Sequence, residues 1–259
     1  MKDTIFLEHQ PFTRDPRAGA AGPQGFAFNS RVAAVFDDMI SRSVPGYSRI
    51  QSLAASLVLE KLKEGDTIYD LGCSTGTSLL RIAQRILQKR QQDPHFARDV
   101  QLIGIDSSPD MVLRAQDKIS AFECHDLVSV YQADIMENPL KRTPAVLSLY
   151  TLQFLSPRDR VRTVNRIYQS LDRDGMFIMA EKVRHQSESL ERIITADYDQ
   201  FKRDNGYSNL EITRKREALQ NVLIPFTLED NLKMLHSCGF KRCEVIEKEL
   251  CFATILAQR

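Results

Sequence analysis

The sequence predicts an α/β fold: a mostly parallel sheet with helices on both faces, closed by an antiparallel hairpin. Three observations carry this reading. Short β-rich runs alternate with helical patterns between residues 67 and 181. The first of these runs enters a glycine-bearing turn that opens a helix, "DLGCSTGTS" over 70–78. The tail "CEVIEKELCFATILAQ" reads as two strands joined tightly around Glu247–Glu249, which ends such a sheet on an antiparallel edge.

The elements follow in order. Residues 1–29, rich in Pro, Gly and Ala around "DPRAGAAGPQG", are expected to form a mobile N-terminal arm. Val32, Val35, Phe36, Met39 and Ile40 recur at helical spacing and mark a helix that stops near Ser43. Pro45-Gly46 is a turn, and Ile50, Leu53, Leu57 and Leu62 mark a second helix, so that 30–63 forms a helical cap. Strands are expected at 67–71, 100–106, 127–132, 145–150 and 175–181. Helices are expected at 78–90, 109–119 and 156–171, the second with proline at its first position and the third opening on Ser-Pro. Residues 186–222 are helical without a strand and interrupted at "NGYSN", an insertion over the sheet. Thr227 followed by Asp230 is a variant capping box that starts a last helix.

Bulk properties narrow the function. The chain has 259 residues, enough for one large α/β domain. A 42% hydrophobic share with 27% charged residues is that of a soluble globular protein. The formal net charge of +1 gives no overall reason to bind nucleic acid or a membrane surface. Five scattered cysteines without a C-x-x-C pair suggest neither a zinc site nor a disulfide framework, and the histidines lack metal spacing. The start "MKDTIFLEHQPFTRDP" has no long apolar core, so a cytoplasmic protein is expected.

Three ligand-facing groups follow three successive strands. Gly72 and Gly76, with small Ser74 between them, let the backbone turn sharply and approach a ligand. Asp106 closes the second strand, where a carboxylate accepts bonds from both ribose hydroxyls. Asp134, after the third, can accept a bond from an adenine amine. The loop "GCSTG" lacks both the full G-x-G-x-x-G and a Walker lysine, which disfavours NAD and nucleoside triphosphates. The interval from Gly76 to Asp106 exceeds the usual ~20 residues, and "QKRQQDPHFARD" (88–99) accounts for it as a polar surface insertion.

The order of these pieces resembles the class I S-adenosylmethionine-dependent methyltransferases, whose Rossmann-like fold has a seven-stranded sheet with a final antiparallel hairpin. The segments "FNSRVAAVFDDMISRSVPGYSRI", "YDLGCSTGTSLL", "IDSSPDM", "TLQFLSPRDR" and "FKRDNGYSNLEITRKREALQNVL" are similar to those of the carboxy-S-adenosyl-L-methionine synthases, from about Phe28 onward. The resemblance implies a single catalytic domain over 30–259 that takes S-adenosylmethionine and prephenate as small-molecule substrates. The products would be carboxy-S-adenosylmethionine, phenylpyruvate and water. It also implies a homodimer without metal, membrane or direct nucleic-acid binding, and a separate tRNA carboxymethyltransferase that uses the product at a wobble uridine. Residue by residue, it places Gly72, Cys73 and Ser74 in the cofactor loop, Asp106 on the ribose, and Ser107, Asp134 and Ile135 at the adenine. Tyr47 would line the methionine end, and Arg216 would hold the new carboxylate, making these two the catalytic candidates. Ser107 and Leu149 stand where the family usually has asparagine.

Duller roles compete. Arg214-Lys215-Arg216 alone reads as a solvated helix face, Tyr47 as a packing residue, and Cys73 as a small residue rather than a nucleophile. Ordinary methyl transfer to a small molecule or RNA is the alternative chemistry, but "LYTLQF" offers no N/D-P-P-Y-type motif for it.

Overall fold

The computed structural model describes residues 3–6 and 26–259. Helix starts follow capping chemistry. Asn29 caps α1 (Ser30–Ser43), its side chain accepting the Val32 N–H. Both α2 (Tyr47–Lys61) and α3 (Thr77–Arg90) instead begin after left-handed glycines, Gly46 at φ 68° and Gly76 at φ 72°. Ser108 and Ser156 cap α4 (Pro109–Ala121) and α5 (Pro157–Ser170), each with proline in the first turn, where a missing N–H costs nothing. The insertion holds α6 (Glu188–Asp204), capped by Ser187, and α7 (Asn209–Leu219), opened by a Ser208–Glu211 capping box. The Thr227–Asp230 capping box opens α8 (Leu228–Ser237) as its sequence indicates.

Five strands run parallel: β1 (Thr67–Leu71), β2 (Gln101–Asp106), β3 (Val128–Gln132), β4 (Thr143–Leu149) and β5 (Leu171–Arg184). A two-residue strand, β6 (Phe226–Thr227), adds to the end of β5. The terminal pair is β7 (Arg242–Glu249) and β8 (Phe252–Gln258), and the sheet order is β3-β2-β1-β4-β5-β8-β7. The last strand therefore lies between β5 and β7, antiparallel to both. The hairpin turn falls later than Glu247–Glu249. Glu249 still pairs with Phe252, and Leu250 at φ 49° and Cys251 make the turn. Charged residues suit an outer strand that pairs on one side only, so the glutamates extend β7 rather than end it. Strand β5 begins earlier than its apolar run, because Leu171 pairs with Thr143 before the register shifts.

Strand alternation divides the core. Ile68, Leu102, Leu147 and Ile178 pack against Ala55 and Val58 of α2 and Leu79 and Ile82 of α3. Tyr69, Leu71, Ile105, Val146 and Phe177 face the other way, onto Val164 and Ile167 of α5 and Leu235 of α8. A separate cluster, with Phe6, Phe26, Val32, Phe36, Met39 and Met111, seats α1 beside α4. The arm expected over 1–29 lies largely outside the described residues. Its described parts, 3–6 and 26–29, are anchored rather than mobile. Phe6 is buried in that cluster, and the Asp3 carboxylate accepts the Tyr207 hydroxyl at 2.5 Å.

Arg160 of α5 is fully buried. Its guanidinium donates to the carbonyls of Leu152 at 3.0 Å and Ile224 at 2.7 Å, and stacks 3.9 Å over the Phe226 ring. Glu181 of β5 accepts the Leu152 N–H at 3.0 Å, so the 3-10 turn Leu152–Phe154 after β4 is held at both polarities. Arg160→Leu removes the side-chain donor to the Ile224 carbonyl and leaves the Leu152 carbonyl with the Leu155 N–H alone. It should lower the free energy of unfolding by about 3 kcal/mol in denaturant titration; a loss below about 1 kcal/mol would show that the guanidinium is dispensable.

Candidate active site

The chain leaves β1 through Asp70 and Leu71 and turns at once, with φ 77° at Gly72, 50° at Ser74 and 72° at Gly76. The Gly72 and Cys73 N–H groups both donate to the Ile105 carbonyl, at 2.8 and 3.1 Å, folding the loop back onto β2. A Cβ on Gly72 would lie 2.2 Å from the Thr151 side chain, so only glycine allows this approach. Cys73 points into the core, where its sulfur occupies the space above Gly104. Burial raises its thiol well above the ordinary value, which fits packing and not nucleophilic attack.

Asp106 binds this loop to the next one. Its Oδ2 accepts the Ser74 N–H at 2.8 Å and its Oδ1 the Ser108 N–H at 2.9 Å. A carboxylate has about four acceptor sites, so two remain for a ligand's hydroxyls. The Asp106 carbonyl accepts the Ala133 N–H at 3.0 Å, which draws the segment after β3 to the same edge. There Asp134 is exposed and Ile135 buried, with the Asp134 carboxylate on the Met136 N–H at 2.7 Å and the Ile135 carbonyl on Arg166 at 2.6 Å. Ser107 is exposed beside them.

Tyr47, the first residue of α2, is half-buried, its ring 6.0 Å from that of Tyr150. Burial, then the charge of Asp37, Tyr150 and the charge of Asp70, push its phenol far above the usual range. Asp70 is the member of this group that the motif reading passed over. It lies on the α2–α3 face of β1, almost fully buried. Burial and then the nearby Asp106 push its carboxyl up to about 7. Gln51 of α2 is buried too, and its Nε2 has no hydrogen-bond partner. Strand alternation could have flagged Asp70, since Ile68, two residues earlier, faces the core on that side. No sequence signal marks Gln51. Buried carboxyls that repel one another suit a cationic ligand. Among the described residues, no group of three His, Cys, Asp or Glu is arranged to hold a metal ion.

Arg216 stands apart. Its guanidinium is exposed and pairs with Asp199 at 2.5 Å. It lines an open groove with Glu191, Arg192, Thr195, Ala196 and Asp199, all from the insertion.

Comparison with known proteins agrees with this geometry. A family model described as a methyltransferase domain matches residues 68–175. Over 232 residues the chain is 41% identical to the carboxy-S-adenosyl-L-methionine synthase of Sulfurimonas denitrificans, covering 90% of this chain and 94% of that one. The chain belongs to the carboxy-S-adenosyl-L-methionine synthase family. The Desulfotalea psychrophila synthase is 40% identical over 256 residues, covering 99% of this chain and 96% of that one. Among solved structures, human N-acetylserotonin methyltransferase in complex with SAM has a TM-score of 0.56 at 16% identity, over 89% of this chain and 55% of that one. A protein from Methanococcus maripaludis described as a putative S-adenosyl-L-methionine-dependent methyltransferase has a TM-score of 0.56 at 17% identity, covering 93% and 97%. These likenesses establish the class I methyltransferase fold. In this synthase-family chain, the 72–76 loop, Asp106 and the 134–135 segment meet at one sheet edge, Tyr47 lies within electrostatic reach of Asp70, and Arg216 does not join them.

Asp70 gives a pH signature. Its folded-state carboxyl titrates near 7 against a usual value of 3.8, so the folded chain keeps a proton that the unfolded chain has lost. Stability should therefore fall as pH rises from about 4 to about 7, and Asp70→Asn should flatten that slope. A cation at the site favours the ionised carboxyl, so affinity for S-adenosylmethionine, read by calorimetry, should rise between about pH 6 and pH 8 in the wild type only. An equal rise in Asp70→Asn would remove Asp70 from the site.

Proposed function

We propose that this chain converts S-adenosylmethionine and prephenate to carboxy-S-adenosylmethionine, phenylpyruvate and water. The observation that carries the reading is the 41% identity to a synthase of that name along 90% of the chain, at a sheet edge with buried carboxyls for a sulfonium. The atoms balance. As the prephenate ring aromatises, it releases carbon dioxide and hydroxide. The hydroxide takes one proton from the sulfonium methyl and becomes water, and the electron pair left on that carbon bonds the carbon dioxide. No side chain need act as base. The protein aligns the reactants, excludes water and holds the new carboxylate.

Roles follow from position. The backbone of Gly72, Cys73 and Ser74 cradles S-adenosylmethionine, and Asp106 takes the ribose hydroxyls with its free lone pairs. The Ser107 N–H, Asp134 and Ile135 line the adenine, and Tyr47 closes the methionine end beside Asp70. The Arg216 fork matches a carboxylate bidentately. Since Arg216 lies on the outer face of the insertion, we assign the working unit as a homodimer in which one copy presents Arg216 to the other's site. Exposed Leu190, Ile193 and Leu210 on the same insertion support a protein contact there. The product would pass to a separate tRNA carboxymethyltransferase acting at a wobble uridine, in the cytoplasm. No helix among the described residues is long and apolar enough to cross a membrane.

Incubation with S-adenosylmethionine and prephenate should yield a nucleoside heavier by one carbon dioxide in mass spectrometry. Its absence where S-adenosylmethionine binds would leave ordinary methyl transfer as the better account. Arg216→Ala should weaken carboxylated-product binding roughly a hundredfold and leave adenosine binding unchanged; equal weakening of both would remove Arg216 from the carboxylate.

A further inference from the structure

Beside the cofactor loop lies a closed polar cluster that the reaction above does not use. Asp37 projects from α1, Thr75 and Thr77 flank Gly76, and Lys118 comes from α4. The Asp37 carboxylate accepts the Thr75 hydroxyl at 2.7 Å, the Thr77 hydroxyl at 3.0 Å and the Lys118 ammonium at 2.9 Å. The same ammonium donates to Thr75 at 3.1 Å and to Thr77 at 2.6 Å. All three of its hydrogens thus have acceptors, and each hydroxyl both gives and receives a bond. Burial raises the Asp37 carboxyl, but the Lys118 charge and the two hydroxyls outweigh it and hold the group below its ordinary value. The cluster joins three elements: the cap, the cofactor loop and the helix after β2.

We infer that Asp37, Lys118 and Thr75 are positioning residues for S-adenosylmethionine, a clasp that seats the cap on the cofactor loop. The inference rests on the reading that this loop holds S-adenosylmethionine. Thr75 is 1% exposed and sits between Ser74 and Gly76, two residues with left-handed backbone. A serine at φ 50° is held there by its surroundings. On one side its N–H meets Asp106, and on the other the clasp fixes its neighbour. Helix α1 ends at Ser43 and the short turn Val44-Pro45-Gly46 leads into Tyr47, so the same bonds bear on the spacing between Tyr47 and the loop. Apolar packing of Val32, Phe36 and Met39 holds α1 independently, so loosening the clasp leaves the cap folded.

Calorimetric titration of the full chain with S-adenosylmethionine, alongside thermal unfolding, tests this. Thr75→Val keeps the shape and removes the hydroxyl; Thr75→Ser keeps the hydroxyl and removes a methyl. Thr75→Val and Lys118→Met should each raise the Kd about tenfold, and the two together should raise it little more than either alone, since they break one unit. Thr75→Ser should bind as the wild type does even if it melts earlier. A Kd that follows melting temperature across the variants, or Thr75→Val binding like wild type, overturns the clasp. Wild-type protein that binds no S-adenosylmethionine overturns the cofactor reading and the clasp with it; wild-type binding with Lys118→Met unchanged overturns the clasp alone.

Discussion

The site depends on one carboxylate. Asp106 takes an amide N–H from each of two loops, Ser74 on one oxygen and Ser108 on the other, while its own carbonyl holds Ala133. The ends of β1, β2 and β3 are thereby brought to a common edge by groups of a single residue. Without that anchor, the left-handed Ser74 would relax, since a non-glycine residue keeps such a conformation only when its neighbours over-determine it. The close approach of Gly72 to Thr151 extends the same constraint to the segment after β4, where Arg160 and Glu181 fix the backbone from below.

Charge follows from this packing. Asp70 and Asp106 are held within a few residues of the same loop, and burial raises both carboxyls above their ordinary value. Two carboxyls in so little water ionise reluctantly, and a nearby positive charge would favour their ionised form. Asp37 stands differently: its lysine is built in, so it contributes geometry rather than unbalanced charge.

The architecture was legible because its signals are local. Strand runs, the proline opening 109–119, the Ser-Pro start at 156, the Thr227 cap, and glycines at 72 and 76 each act over a few residues, and the structure uses all of them. The turn after β1 and the position of Asp106 at the end of β2 were legible for the same reason. Asp70 was passed over because the loop motif drew the reading, although its alternation with Ile68 marks the same buried side of β1. Asp37, Thr75 and Lys118 come from places far apart in the chain, and no pattern in any one segment announces the bonds between them. The anchored N-terminal residues were missed likewise, since the partner of Asp3 is Tyr207. Arg216 is legible as a motif residue, while its position on the insertion's outer face is not.

The strand order carries a consequence for how such a chain is made. Strand β7 reaches the sheet only through β8, which is translated after it. Until residues 252–258 have emerged, β5 presents an open edge to solvent and β7 has nowhere to dock. Unpaired edges of that kind invite association between nascent chains. Sheet completion is thus delayed until β8 has emerged, however early the turn after β1 forms. The charges along 242–249, from Arg242 through Glu244, Glu247, Lys248 and Glu249, keep the waiting segment soluble during that interval.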